Sequence, residues 1–391
     1  MELRNLTFDD FDASVDLSQY AFQYSVTAEQ REERRSRFKP EQVWGIFDHD
    51  KLEAQLTVIP LQLYIQGRVF EMGGIAGVSS WPEHRRRGNV ALLIRHALLQ
   101  MREKGRSISC LAPFSFGFYR KYGWETYTDY KKYTIETALF PQRVQVEGRV
   151  SLEDADIPLL SRLYEAYASR YNGTLQRSEQ WWKDSVLSRK KGYTAVYYRA
   201  DGEAAGYLLY EIGQRVLTIH EMVYENEQGR QALWTYLASH DSMVEKAVLN
   251  APMDDALPFL LSNPRIGQEI VPYFMARIVD TATFVKQYAF GASGSDTTLT
   301  LQLKDQHAPW NEGLWSLSVS AEGSGTMELL SSDEGAAADL ACDISTWSAL
   351  MMGYRSPAEL HRHGRLTGSQ EAARQLEAII QPRQTYLMDF F

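Results

Sequence analysis

The densest chemistry in this 391-residue chain is one loop, His84-Arg85-Arg86-Arg87-Gly88, which runs into Asn89-Val90-Ala91. A diphosphate needs several N–H donors converging on it, and the first turn of a helix supplies free amides plus the positive end of the peptide dipoles. From Val90 the apolar positions 90, 91, 93, 94, 97, 98 and 101 recur at helical spacing, so the loop opens a helix. Gly88 lets the chain wrap tightly around phosphate oxygens, while Arg86 and Arg87 add charge and bidentate hydrogen bonds. By spacing alone the run reads equally well as a solvated basic turn. Gly73-Gly74-Ile75-Ala76-Gly77 upstream is not a second phosphate motif: Trp81-Pro82 rather than a helix follows it, and it lacks a Gly-Lys-Ser/Thr.

The elements that must carry this loop are a mixed α/β set. Helices are predicted over 14–24 and 28–38. Short β-rich runs over 43–47, 52–59 and 62–72, broken by Asp48-His49-Asp50, Pro60 and Gln66-Gly67, predict an antiparallel meander. The small residues of a strand over 73–80 let something approach its backbone closely. Beyond the helix comes an apolar strand over 108–113, then Phe114-Ser115-Phe116-Gly117-Phe118-Tyr119-Arg120-Lys121-Tyr122-Gly123-Trp124, a short helix ending at glycine.

Residues 150–285 repeat this order in degraded form: a strand over 217–224, a polar turn over 225–229 and an amphipathic helix over 230–240, without the arginine run or its glycine spacing. This predicts a duplicated fold whose second copy has no phosphate loop. The last stretch changes again, with strands over 297–303, 315–319 and 326–330, helices over 345–352, 357–362 and 369–380, and a terminal strand over 384–391.

Arg85-x-x-Gly88-x-Val90 followed by Phe118-Tyr119-Arg120-Lys121-Tyr122-Gly123-Trp124 resembles the acetyl-CoA site of GNAT N-acetyltransferases, with Val90 where that family usually has Gly or Ala. Over nearly its full length the chain resembles the enhanced intracellular survival (Eis) family. The resemblance rests on the His84 to Gly88 loop, the duplicated strand-turn-helix, and the run from Trp347-Ser348-Ala349-Leu350-Met351-Met352-Gly353-Tyr354 to Phe391. It implies an α+β chain of tandem GNAT-like folds followed by a sterol-carrier-like domain, divided as 1–147, 148–288 and 289–391. It implies acetyl-CoA contacts at Val78, Ser79 and Ser80, at Arg86, Arg87, Gly88, Asn89, Val90 and Ala91, and at Phe114 and Ser115. It places the general acid at Tyr119 and the base at the carboxylate of Phe391, with Phe390 and Phe391 as the apolar groups around that carboxylate. It also implies a polyamine-, aminoglycoside- or lysine-like amine acceptor and a homo-oligomer, often a hexamer.

Composition narrows the alternatives. The 44% hydrophobic and 23% charged residues are globular averages, which excludes global disorder. A net charge of -9 disfavours nucleic acid and makes cationic small molecules the easier partners. The acidic N-terminus and the absence of a long apolar run predict a cytoplasmic protein that does not enter membranes. Cys110 and Cys342 are far apart in apolar surroundings and read as buried hydrophobes. No metal is expected: His361 and His363 have no carboxylate or cysteine at ligand spacing. Asp389 reads as a receiver for a cationic substrate or as a surface charge. Phe22, Tyr24 and Trp44 are candidates for an acceptor pocket or for the core. Two competing functions remain, a lipid or apolar-ligand carrier with a vestigial first domain, and a tandem-GNAT aminoacyl or peptidyl transferase. The intact loop with Tyr119 counts against the carrier.

Overall fold

The structure is a computed structural model in which residues 1–330 and 338–391 are described. Strands β1 (Glu2–Asn5), β2 (Val43–Asp48), β3 (Lys51–Ile65) and β4 (Arg68–Ser80) form an antiparallel run, and β5 (Ile108–Leu111) joins β4 in parallel. Helices α1 (Phe11–Phe22) and α2 (Ala28–Ser36) precede β2. Helix α3 (Asn89–Glu103) crosses from β4 to β5, and α4 (Phe116–Arg120) leads into β6 (Glu125–Glu136). The apolar stripe of α3, Leu93, Ile94, Ala97, Leu98 and Met101, is buried against Ile46, Ala54, Leu56, Val58 and Ile75 of the sheet. Burial of this kind contributes about 1.5–3 kcal/mol for each large side chain. Gly73 is required by this packing, because a β-carbon there would overlap the Met101 sulfur.

Pro60 does not break the sheet as expected, and β3 runs unbroken through it. The partner β2 leaves β3 after Thr57, and the two-residue β8 (Leu175–Gln176) joins only at Gln62 and Leu63. Pro60 lies at the open edge between them, where a residue without an N–H is tolerated.

The second unit repeats the first. Strands β7 (Arg149–Glu153), β9 (Tyr193–Tyr198), β10 (Ala204–Gly213), β11 (Val216–Tyr224), β12 (Lys246–Ala251) and β13 (Gly267–Ile278) are joined by α5 (Ile157–Ala168), α6 (Glu179–Trp181) and α7 (Glu227–Ala238). The repeat extends to register: Met72 to Ile75 pair in parallel with Ile108 to Leu111, and Val216 to Ile219 pair in parallel with Lys246 to Leu249. In both units the two strands then part. The units also exchange strands: β13 inserts between β5 and β6, while β6 pairs with β12, so one continuous sheet spans both.

Among the described residues the last unit has a five-stranded sheet of β14 (Thr297–Lys304), β15 (Gly313–Val319), β16 (Gly325–Leu329), β17 (Leu340–Asp343) and β18 (Thr367–Gly368), with helices Ile344–Met351, Pro357–Arg362 and Gln370–Ile379. It shares a core with the other two units: Leu63, Met72 and Ile108 of the first and Phe274 of β13 pack in one cluster with Leu301, Trp347, Leu350 and Phe391. The segment after the last helix is not the predicted strand. Among the described residues only Thr385 pairs, in an isolated bridge to Asn172, and the rest of the tail is held by side chains. Among the described residues no helix is long and apolar enough to cross a membrane. Cys110 and Cys342 are buried and unbridged, and burial pushes both thiols up.

Candidate active site

Where β4 and β5 part beyond Ile75 and Leu111, a cleft of about 550 Å³ opens. Val78, Ser79 and Ser80 form its β4 wall, Phe114 stands opposite, and Arg86, Gly88, Asn89, Val90 and Ala91 close one end. Ala21 and Phe22 of α1 and Phe118 and Tyr122 complete it. Four sequence-predicted residues do not line this cleft: Tyr119 and Phe391, predicted as acid and base, and two of the predicted acetyl-CoA contacts. Arg87 turns toward His84, with Nη1 3.4 Å from Nδ1, and Ser115 sits at the start of α4.

The backbone explains why this helix start differs from its counterpart. Gly88 at the N-cap of α3 has φ 88° and Arg86 has φ 62°, a left-handed conformation that costs free energy in a non-glycine residue and clusters at functional loops. Among the described residues no side chain caps α3, so the amides of its first turn are left to the cleft. In the second unit the Asn226 side chain accepts from the Gly229 amide at 3.1 Å and closes the start of α7. The tail lies along the opening between β11 and β12, where a cleft of about 440 Å³ remains, and the Tyr386 hydroxyl donates to the Asn250 carbonyl at 3.4 Å.

Two supports were not foreseen. Glu53 on β3, only 3% exposed, accepts from Asn89 Nδ2 at 2.8 Å and lies 3.0 Å from His84 Nδ1, so one buried carboxylate pins both ends of the loop. The Asn89 side chain therefore turns toward Glu53. The second support is a bulge in β4: Gln55 pairs with Ser79 but Thr57 pairs with Ala76, so β4 carries an extra residue around Gly77, whose φ is 61°. A bulge takes a backbone amide out of the ladder and re-aims it, here beside Val78 on the cleft wall.

Tyr119 on α4 is buried behind that wall, its ring perpendicular to Phe118 at 5.1 Å and steeply inclined to Phe114 at 5.5 Å. Burial pushes its phenol above the ordinary tyrosine range. Of the three aromatics considered for an acceptor pocket, Phe22 lines this cleft, Tyr24 lines a second one, and Trp44 packs against His96 and the core.

The tail is clamped by charges that the sequence does not mark. Asp389 is 3% exposed and accepts from Arg177 Nε at 3.0 and 3.2 Å and from Trp181 Nε1 at 2.9 Å. Asp389 is thus neither a surface charge nor free to receive a cationic substrate. Arg177, equally buried, also grips Glu221 at 2.5 and 3.2 Å, and Lys190 reaches Glu221 and the Met388 carbonyl. Burial alone would raise the Glu221 carboxyl, but the charges and hydrogen bonds of Arg177 and Lys190 override it and hold it at about 2. Tyr273 donates to the Asp389 carbonyl at 2.8 Å. Beyond this clamp Phe391 is buried, its ring 4.9 Å from that of Phe274 and over the backbone of Gly74, whereas Phe390 is half exposed.

Residues 2–127 match an acetyltransferase (GNAT) domain family, residues 173–278 a second acetyltransferase (GNAT) domain family, and residues 281–388 the sterol carrier protein domain family. A conserved protein of Enterococcus faecalis described as a probable N-acyltransferase superposes with a TM-score of 0.92 at 30% identity, covering 100% of this chain and 99% of that one. Eis1 of Mycobacterium abscessus shares the fold, with a TM-score of 0.82 at 20% identity and full coverage of both chains. In sequence, the chain is 26% identical to an uncharacterized N-acetyltransferase of Streptomyces avermitilis over 87% of this chain and 86% of that protein. It is 22% identical to the N-acetyltransferase Eis of Mycobacterium tuberculosis over 81% of this chain and 80% of that protein. Two GNAT units sharing one sheet, a sterol-carrier-type third unit and these full-length likenesses agree: the chain belongs to the Eis-like family of GNAT N-acetyltransferases.

Proposed function

We propose that this enzyme transfers the acetyl group of acetyl-CoA to a primary amine, with the diphosphate held at the start of α3. The observation that carries this reading is the uncapped helix start behind Arg86 and Gly88, opening onto the gap between β4 and β5. Free first-turn amides and a positive dipole end suit a diphosphate, and Arg86 adds charge to them. Val78, Ser79 and Ser80 flank the pantetheine arm and lead it toward the bulge at Gly77. The amide re-aimed there hydrogen-bonds the thioester oxygen as it becomes an oxyanion.

The amine attacks the carbonyl carbon, the tetrahedral intermediate collapses, CoA leaves as a thiolate, and the second proton of the attacking nitrogen passes to solvent or to that thiolate. Tyr119 donates a hydrogen bond to the departing sulfur. Magnitudes limit that role: a tyrosine near ~10 against a thiol near ~8.5 makes complete proton transfer uphill by roughly 2 kcal/mol, and burial of Tyr119 widens the gap. The carboxylate of Phe391 takes the proton of the incoming ammonium. In water an α-carboxyl near ~3.5 faces an ammonium near ~10.4, a deficit of about 9 kcal/mol. An apolar, buried residue at the end of the chain, as Phe391 is, narrows it by stripping water from the ammonium.

Polyamine-, aminoglycoside- and lysine-like acceptors all present the primary amine this chemistry needs. The proposal also carries a homo-oligomer, which light scattering of the purified chain measures. Titration calorimetry with acetyl-CoA, followed by thiol release with a panel of amines, tests the function. Micromolar binding with amine-dependent thiol release supports it, and the absence of acetyl-CoA binding removes it.

A further inference from the structure

A second cleft, also of about 550 Å³, meets the first at the β4 bulge: Gly77 belongs to its wall, next to Val78 of the first. Its other walls are α1 and α2, the middle of β3, and the segment around α6. Two of its wall residues, Leu61 and Trp181, are neighbours of Phe391: Leu61 stands with the Phe391 ring over Gly74, and the Trp181 ring is 6.4 Å from that of Phe391. Given the function proposed above, on which this inference rests, the amine enters here.

The charges on this cleft have the wrong sign for a polycation. Arg34, Arg37 and Lys39 line it against a single carboxylate, Asp184. Asp184 is engaged by Gln180 Nε2 at 2.5 Å and lies 3.9 Å from Arg37, which also pairs with Glu33 at 2.9 Å. Elsewhere on α2 the arginines are neutralised, Arg31 by Asp12 and Asp16 and Arg35 by Asp12. Arg34 is different. It is held by the Tyr24 hydroxyl at 2.7 Å and lies over the Tyr24 ring at 4.8 Å, and among the described residues no carboxylate pairs with it. The Tyr24 hydroxyl is itself 2.9 Å from Ser18 Oγ, so the guanidinium is fixed on the wall.

The β3 wall of the cleft offers an acceptor. Gln55, 4% exposed on β3, donates through Nε2 to the Ser14 carbonyl at 3.1 Å, and among the described residues its Oε1 has no partner. A buried amide oxygen without a donor is costly and marks a place for one. The same cleft is also lined by the aromatic Phe11, Phe38 and Trp181. We infer that the acceptor is a primary amine whose far end is anionic, a carboxylate or a phosphate, with the amine end toward Gln55 and the bulge, the anion on Arg34, and an apolar stem between. Polycations are then the poorer substrates.

Matched acceptors test this on the full-length enzyme. Cadaverine and ε-aminocaproate share an amine and the same methylene stem and differ only in an ammonium or a carboxylate at the far end, while aminopentyl phosphate carries the phosphate. Thiol release should give ε-aminocaproate or aminopentyl phosphate a kcat/KM at least about tenfold above cadaverine, and the larger of the two identifies the anion. Arg34→Glu, at an exposed position that does not endanger folding, should reverse the order, and Arg34→Lys should keep it. Equal or better turnover of cadaverine by the unaltered enzyme overturns the inference, as does an Arg34→Glu enzyme with an unchanged ratio. Acetyl-CoA binding without thiol release to any anionic amine also overturns it alone. Failure to bind acetyl-CoA overturns the underlying function and this inference with it.

Discussion

The ring of Phe391 stands against the backbone of Gly74: a β-carbon on that glycine would lie 2.9 Å from the ring's Cε2 and 3.0 Å from Cδ2. The last residue of the chain therefore docks on β4 three positions before the bulge at Gly77, and it does so only because residue 74 has no side chain. Gly74→Val should push the ring away while leaving the cleft at α3 intact. The expected result is a kcat lowered by up to about a hundredfold, the scale of a misplacement of one ångström, with acetyl-CoA affinity within about twofold. Residues appended after Phe391 should have the same effect. Full activity from an extended chain would remove the terminal carboxylate from the mechanism.

The Arg177 clamp gives the tail its position and makes it sensitive to acid. Asp389→Ala leaves a buried guanidinium with one carboxylate fewer, and breaking such a pair costs about 3–5 kcal/mol. It should lower the melting temperature and kcat together. The pH dependence has a definite sign. Because the folded Glu221 carboxyl sits below its unfolded value of ~4.3, its contribution is complete above that value and is lost as the pH falls toward about 2. Glu221→Gln should therefore be less stable than the parent at about pH 6 but lose less stability on going to about pH 3. Parallel losses in the two proteins would show that Glu221 does not carry this charge.

The parts of the site that were legible in the sequence are those whose signal is local. The loop from His84 to Ala91 is readable because a glycine, arginines and an apolar helical period lie within one turn of each other. The duplication is readable because strand, turn and helix recur in order, and the missing second loop is visible as an absence of the same residues. Glu53 gave no such signal: it is one polar residue in a strand, and its partners His84 and Asn89 lie more than thirty positions away. Arg177, Glu221 and Asp389 come from a loop, a strand and the tail, and only the folded chain shows that they neutralise one another. Pro60 misled for a related reason, since whether a proline breaks a strand depends on which neighbour stands beside it. The tail misled too, because its extended shape is imposed by side-chain anchors rather than by a ladder.

Glu53 makes a prediction about the loop itself. Its carboxylate is the buried partner of Asn89 and His84, and losing a buried partner costs about 1–3 kcal/mol for each group left unsatisfied. Glu53→Ala should loosen the 84–89 loop and weaken acetyl-CoA binding by about tenfold or more, with kcat at saturating acetyl-CoA much less affected. Unchanged affinity would mean that the loop holds its shape without this anchor.

Tyr119 is the residue whose role a pH profile separates from mere packing. Burial disfavours the phenolate, so the phenol titrates above its usual ~10 and remains a donor throughout the range in which the enzyme is handled. Activity should therefore show no descending limb from tyrosine ionisation up to about pH 10. Tyr119→Phe keeps the ring that Phe114, Phe118 and Trp124 surround and removes only the hydroxyl. If the hydroxyl donates to the departing sulfur, kcat falls by about a hundredfold at every pH, while acetyl-CoA affinity and melting temperature stay near those of the parent. A leaving group better able to carry its charge should recover much of that loss, since it needs the donor less. An unchanged kcat in Tyr119→Phe, or a loss that follows stability instead of leaving-group quality, would reduce Tyr119 to the aromatic packing it shares with Phe118.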